Sequence, residues 1–499
     1  LHQIAETGTN LNELHGLNLP GNLVTIADIK VLGCSEDTNL SKSISIKPLS
    51  YALKPGSFVY KPDIKTAQNL LFYKESDRAF RIGSLLSNSK MKVVFDAEAL
   101  FTHVYVGGRT KSGKTNLNRG IMHSCAKMEY PILAFDPHGD FLAFKEKENK
   151  ILPNTKVKVF YPRFSINDRD GIFLHIEKLG LPLTDPQQDY LERLIEVENF
   201  KGTTFKNYIE SLITTCTNNI ENAQRRNEIP TIRVVRRCLG SVLKEIITME
   251  TENELNRKRL KEIYKEKNLS HVEFEPMPDP YVNPEEFIKK GQISIIYLAG
   301  YRDRTQSVIC SIILEALFKL RIEDSKKVPP FACFLEECHR FCPSSKMSSR
   351  RSDDVPSLHT IRRIVQEGRK FGVGLVISSQ SPSQVDDITL AQCSTFYIGQ
   401  LSDRYDIQWL SRILENWDQT CENYLPKFGT GQAYVTGNAF KFPQAIKADY
   451  FVDLEPINRL QGHDEKIKKW STNIKKDQEK EKNNNDINKI VELDTRKGN

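Results

Sequence analysis

Two glycines, a lysine and a threonine are spaced so that residues 108–115 could hold a chain of phosphates. The run reads Gly108-Arg109-Thr110-Lys111-Ser112-Gly113-Lys114-Thr115, with Asn116 next. The glycines let the backbone turn tightly, so that successive N–H groups converge on an anion. Lys114 carries a positive charge on a stem long enough for the outer phosphates, and the Thr115 hydroxyl is a ligand suited to Mg²⁺. A helix opening at Asn116 would add its unpaired N–H groups and a partial positive charge. The second chemical group is Glu336-Glu337, placed directly after the apolar run 331–335. A hydrolase of this kind needs one carboxylate in the metal shell, here Glu336, and one to orient and polarise water, here Glu337. Gln380 ends a further apolar run, 373–378, where a side-chain amide can sense the γ-phosphate; Arg369 precedes that run. The combination predicts a nucleoside triphosphate site with Mg²⁺.

These groups need strands to carry them and helices to cover the strands. Residues 104–106 are a short apolar run before the glycine loop, and 132–135, 156–161, 293–298 and 331–335 are runs of the same buried type. Alternation of such runs with helical periodicity predicts a mostly parallel sheet, whose sites lie at the carboxyl ends of its strands. Before residue 98 the pattern differs. Short alternating stretches at 22–31, 43–49 and 57–60, separated by Gly, Pro, Ser and Asn, predict a small barrel or compact sheet. From 178 to 285 the apolar spacing is helical, and the strand alternation is interrupted. Arg233, Arg236, Arg237 and Lys244 on this stretch read as a solvated face. The tail 463–499 is rich in Lys, Glu and Asn, with little to bury, and reads as disordered.

At 499 residues the chain is too long for one core, and 39% hydrophobic with 27% charged residues is ordinary for a soluble protein. No apolar run approaches the length of a membrane span, and the first residues carry no export signal, so a cytoplasmic location with no membrane partner is expected. Ten cysteines dispersed over this length do not make a disulfide framework. Cys333, Cys338 and Cys342 lack the paired spacing of a zinc site and read as core and loop thiols. A net charge of +7 permits nucleic-acid binding without arguing for it.

GGRTKSGKT, DPHGDF, FLEECHRFCP and QEGRKFGVGLVISSQSPSQVD occur in that order, with RIGSLL ahead of them and GQAYVTGNAFKFP behind. In these motifs the chain resembles the HerA family of hexameric DNA translocases, relatives of FtsK and of type IV secretion ATPases. The resemblance spans roughly residues 20–460. It implies an α/β fold: a RecA-like P-loop core at 98–177 and 286–462, a small N-terminal β-barrel like that of ATP synthase subunits at 1–97, and a helical insertion at 178–285. It further implies a homo-hexamer that binds ATP between neighbours and threads double-stranded DNA. A NurA-type nuclease partner in DNA end processing for double-strand break repair is implied as well. Carried over, Lys114 and Thr115 bind phosphate and Mg²⁺, Glu336 and Glu337 are the acidic pair, Gln380 is the sensor and Arg369 reaches a neighbour's γ-phosphate. Lys346, Arg350 and Arg351 lie on a loop that relatives often turn towards the pore. Glu336 stands where such pairs generally begin with Asp, and Asp140 where Glu is frequent. A conjugation or secretion motor, and an ATPase scaffold in a defence complex, are the alternative functions.

Overall fold

The computed structural model describes residues 63–454, apart from 148–151, 153, 164–168, 180, 198–203, 223–225, 267–271, 346–354, 415, 416 and 418. Most of the interval expected to form a barrel, residues 1–62, lies outside these, as does the tail 463–499.

The described residues begin with α1 (Ile64–Leu71), β1 (Ala79–Leu85) and β2 (Asn88–Asp96), then β3 (Val104–Gly107), α2 (Lys114–Lys127) and β4 (Ile132–Asp136). After α3 (Ala143–Glu146) and β5 (Lys156–Tyr161) come four helices: α4 (Arg169–Lys178), α5 (Asp185–Val197), α6 (Phe205–Glu221) and α7 (Ile229–Glu266). Strands return with β6 (Glu275–Pro276) and β7 (Gln292–Tyr297), followed by α8 (Asp303–Glu323), β8 (Phe331–Leu335), α9 (Ser357–Phe371) and β9 (Val373–Ser379). The last elements are α10 (Asp387–Ala391), β10 (Thr395–Ile398), α11 (Arg404–Ile413), α12 (Gln419–Tyr424), β11 (Gln432–Gly437) and β12 (Gln444–Ala448).

All the strands of the described residues join one 12-stranded sheet, in the order β2-β1-β12-β11-β10-β3-β9-β8-β4-β7-β5-β6. From β10 through β3, β9, β8, β4, β7 and β5 the neighbours run parallel, which places all their carboxyl ends on one edge. The β1–β2 hairpin, grouped with the barrel on sequence, pairs antiparallel with β12 and extends the same sheet.

Successive side chains of a strand point to opposite faces, so a strand buried on both sides feeds two cores. In β8, Phe331, Cys333 and Leu335 enter one core with α8 and α9, while Ala332 and Phe334 enter the other with α2. β3 does the same, Tyr105 facing the first core and Val104 and Val106 the second. Cys333, Cys338 and Cys342 all pack in the first core as free thiols.

The helices α4 to α7 surround a third core, which includes Ile176, Leu191, Ile209, Leu212 and Val235 and is joined to the sheet by Val308 and Ile312 of α8. Helix α7 has 38 residues, roughly 57 Å at the usual rise. Its first half lies in the third core, whereas Leu260 and Tyr264 pack beneath the sheet. Arg233, Arg236, Arg237 and Lys244 are exposed on it. No helix among the described residues is long and apolar enough to cross a membrane.

The corner before β3 packs directly on β9. His103 is buried, and burial pushes its imidazole down to about 4. It is therefore neutral, and its Nδ1 accepts the Leu375 N–H at 3.1 Å. Beside it, a Cβ on Gly374 would lie 2.2 Å from the Leu100 carbonyl oxygen and 2.7 Å from its carbon. Both are backbone atoms that cannot swing aside. Gly374→Ala should therefore destabilise the protein by about 1–3 kcal/mol through overpacking. A thermal melt of the variant checks this; an unchanged melting temperature would show that the corner yields.

Candidate nucleotide site

The loop between β3 and α2 is shaped by backbone conformations that ordinary residues avoid. Gly108 has φ 142°, Gly113 φ 107°, and Lys111, which bears a side chain, φ 67°. A Cβ on Gly113 would meet Gly431 at 3.1 Å, and Gly431 N–H donates to Ser112 O at 2.7 Å. The start of β11, within the GQAYVTG motif, thus supports the loop from outside. Tyr105 supports it from below: a Cβ on Gly107 would fall 2.6 Å from the tyrosine ring.

Lys114 is buried at the first position of α2, and its Nζ donates to Gly108 O at 2.6 Å and Arg109 O at 3.3 Å. Thr115 is half-buried beside it. The Asn116 side chain is engaged away from the loop. Its Nδ2 donates to Asp449 O at 2.6 Å and its Oδ1 accepts the Phe451 N–H at 2.9 Å, so its side chain anchors the segment after β12. Only its backbone remains as a contribution to the loop.

The acidic pair sits two strands away from the loop, with β9 between. Registration of the three parallel strands sets Gly107 against Ser379 and Leu335 against Ile377. Gln380, one residue beyond β9, therefore emerges between loop and acids. It touches both. The Thr110 hydroxyl donates to Gln380 Oε1 at 2.9 Å, and Gln380 Nε2 donates to Glu337 Oε1 at 2.9 Å. His339 Nδ1 stands 3.4 Å from the other oxygen of Glu337. Arg109, Thr110, His339, Gln380, Ser381 and Gln384 line a cleft of about 450 Å³ at this point. Glu337 itself has φ 50° and ψ 52°. That left-handed turn, which costs a residue with a side chain on the order of 1 kcal/mol, directs consecutive carboxylates to different places.

Glu336 goes inward. It is 3% exposed, accepts a hydrogen bond from the Ser378 hydroxyl through Oε2, and has no hydrogen-bond partner for Oε1 among the described residues. Burial, then the nearby Asp140 charge, push its carboxyl up to about 7 against the pull of Ser378 and Lys114. Asp136 at the end of β4 is likewise raised to about 6, first by burial and then by Asp140. That holds even though Asp136 accepts the N–H groups of His138, Gly139, Asp140 and Phe141 and so shapes the DPHGDF turn. Buried Arg119 donates to Asp140 O at 2.9 Å, with its guanidinium 4.0 Å from the Asp140 carboxylate.

The donor set fits a magnesium–nucleotide: a glycine cradle, a lysine, a threonine hydroxyl, and a buried carboxylate oxygen with no hydrogen-bond partner. Hard oxygen ligands of this kind suit Mg²⁺. Arg369 is not brought to this place. It is exposed on the last turn of α9, at the opposite end of β9, about 20 Å from Gln380 by strand rise. Lys346, Arg350 and Arg351 lie outside the described residues. Asp136, Arg119, His339 and Ser378 were not singled out from sequence. DPHGDF, FLEECHRFCP and QEGRKFGVGLVISSQSPSQVD contain Asp136, His339 and Ser378, but no local spacing reveals which side chains turn inward.

Residues 80–317 match the family model described as "Helicase HerA, central domain". The chain is 24% identical to a probable helicase of Methanocaldococcus jannaschii, over 85% of this chain and 76% of that protein. It is 23% identical to the DNA double-strand break repair helicase HerA of Pyrococcus furiosus, over 89% of this chain and 80% of that protein. Among solved structures, VirB4 of Thermoanaerobacter pseudethanolicus is similar with a TM-score of 0.49 at 11% identity, over 76% of this chain and 98% of that one.

The raised Glu336 carboxyl has a measurable consequence. Its folded value of about 7 lies above the ordinary 4.5, so the folded state binds its proton more tightly than the unfolded state does. Stability from this group is therefore fully present at low pH and is lost as the pH rises from about 4.5 through about 7. Without metal or nucleotide, Glu336→Gln should raise the melting temperature at pH 8 and by clearly less at pH 5. Equal gains at both pH values would mean that the carboxylate is not held at a cost.

Proposed function

We propose that this chain, whose residues 80–317 match the central domain of helicase HerA and which is similar to curated helicases over most of its length, is a HerA-type protein that hydrolyses ATP to drive movement along double-stranded DNA. The relatives named as DNA double-strand break repair helicases support a place in DNA end processing. The family resemblance extends the proposal to a ring of six subunits and a NurA-type nuclease partner. The observation that carries the reading is the Thr110–Gln380–Glu337 connection, which ties the phosphate loop to an acidic residue through the end of the strand between them.

Each residue's part follows from its surroundings. Gly108, Arg109 and Ser112 N–H already donate to Ser379 O, Gln400 O and Arg109 O. The remaining backbone N–H groups of 110–115 would face the phosphates, and Lys114 Nζ would exchange Gly108 O and Arg109 O for phosphate oxygens. Thr115 and Glu336 would hold Mg²⁺, which would supply positive charge to offset that of the phosphates. Glu337, next to the cleft and fixed by Gln380, is placed to orient the attacking water and draw on its proton. Gln380 would report occupancy of the γ-phosphate position, because one amide touches both loop and base. Arg369 is too far along β9 to reach this site, so a role at phosphate would be exercised on a neighbouring subunit's nucleotide.

The primary test is ATP hydrolysis with and without linear duplex DNA, with oligomeric mass measured on the same sample. Stimulation by duplex DNA in a ring-sized species is expected; hydrolysis indifferent to DNA would refute the motor reading. Lys114→Ala should lose both tight ATP binding and turnover. Glu337→Gln should keep binding while turnover falls at least about a hundredfold, the usual scale for losing a general base. Normal turnover by that variant would remove Glu337 from the mechanism. Arg369→Ala should assemble and bind ATP but hydrolyse about three powers of ten more slowly or worse. Mixed with Lys114→Ala, it should regain activity at interfaces that pair an intact loop with an intact Arg369. Mixed rings without recovery at any ratio would count against action across the interface.

A further inference from the structure

The turn that carries Gln380 is held from behind by a residue outside the motifs. Asp406 lies in the first turn of α11 and is 4% exposed. Its Oδ1 accepts the Ser381 hydroxyl at 2.7 Å and the Ser383 N–H at 3.1 Å. Ser381 and Ser383 hydroxyls also meet at 3.1 Å. On the strand side, Ser379 Oγ donates to Ser381 O at 3.0 Å. Gln380 is thus the residue whose side chain points to the cleft from a backbone pinned on both flanks.

A buried carboxylate is costly to keep unless its bonds matter, and here two of them end on the residues that follow Gln380. Gln380 must meet Thr110 and Glu337 together, each at 2.9 Å. A displacement of the turn by one ångström would break one contact or both, and misplacement on that scale lowers rates by up to about a hundredfold. We infer that Asp406 is a positioning residue for ATP hydrolysis: it fastens the turn after β9 so that Gln380 keeps Glu337 in register with the phosphate loop. Asp406 acts through Ser381 and Ser383 and touches no substrate itself. The inference rests on ATP turnover at this site.

The test uses the full chain with duplex DNA. Asp406→Ala should lower kcat about tenfold, the loss expected when a buried hydrogen-bonding partner is removed. It should leave affinity for a non-hydrolysable ATP analogue within about twofold, since the loop and Lys114 are untouched. Asp406→Asn keeps an acceptor oxygen at the same place and should restore most of kcat. A residue that merely stabilised α11 would not show this split or this rescue. Should Asp406→Ala fail to fold, Ser381→Ala decides: it removes one of the two bonds and should lower kcat about threefold at unchanged analogue affinity. Wild-type kcat in the folded alanine variant, parallel loss of analogue affinity, or an asparagine variant as slow as alanine would each overturn the inference. Absence of turnover in the unaltered chain would instead defeat the functional reading on which it rests.

Discussion

Registration of β3, β9 and β8 is the constraint on which the site depends. Hydrogen bonding between parallel strands fixes Gly107 against Ser379 and Leu335 against Ile377. A slip of one residue would turn every side chain of the slipped strand to the other face. In β9 that would move Leu375 and Ile377 out of one core and Val376 out of the other. The same slip would carry Gln380 away from Thr110 and Glu337. Packing on two faces therefore secures a geometry at the strand ends that no local interaction could secure. A side-chain amide offers acceptor and donor on adjacent atoms, and Gln380 uses both across that edge.

The same edge gathers buried charge. Asp136, Asp140 and Glu336 are all under 9% exposed, with Lys114 and Arg119 among them. Backbone N–H groups shape Asp136, the Ser378 hydroxyl holds one oxygen of Glu336, and Arg119 stands against Asp140. Burial nevertheless dominates, as the raised carboxyls of Asp136 and Glu336 show. Such a set is poorly matched to a metal-free protein and well matched to one that receives a divalent cation with its nucleotide. The electrostatics and the glycine cradle point to the same ligand by independent routes.

What the sequence made legible was local. The glycine loop announces itself because Gly108, Gly113, Lys114 and Thr115 act within one turn of backbone, and the apolar runs announce strand ends. Interactions between distant segments were hidden. Asn116 looked like part of the loop, yet its side chain is spent on Asp449 and Phe451, more than three hundred positions later. The β1–β2 hairpin resembled the stretches before it, but its partner β12 lies near the other end of the described chain. Asp406 belongs to no recognisable spacing at all; it matters because α11 folds back on the turn after β9. Residues whose role is to hold another residue leave a trace only in three dimensions.

The helical block is not a loosely hung appendage, because one helix belongs to both halves. Beyond the third core, α7 delivers Asn253 to Pro162 O and Asn256 to Ala299 O, both at 2.6 Å, and Tyr264 to Glu146 at 3.1 Å. Glu245, about two turns of the helix before Asn253, accepts the Thr305 hydroxyl. Two of these contacts, to Ala299 O and to Thr305, grip the corner between β7 and α8. At the head of α8, Asp303 pairs with Arg340 at 3.3 Å, and Arg340 belongs to the short turn that follows Glu336 and Glu337. An unbroken series of contacts thus leads from the helical block to the acidic turn. A continuous helix resists bending over such a length, so displacement of the block would be borne by the β7–α8 corner and its neighbours rather than absorbed along α7. The acidic turn sits at the end of that series, with Glu337 already in a left-handed conformation. Its geometry is consequently tied to the helical block as well as to the sheet.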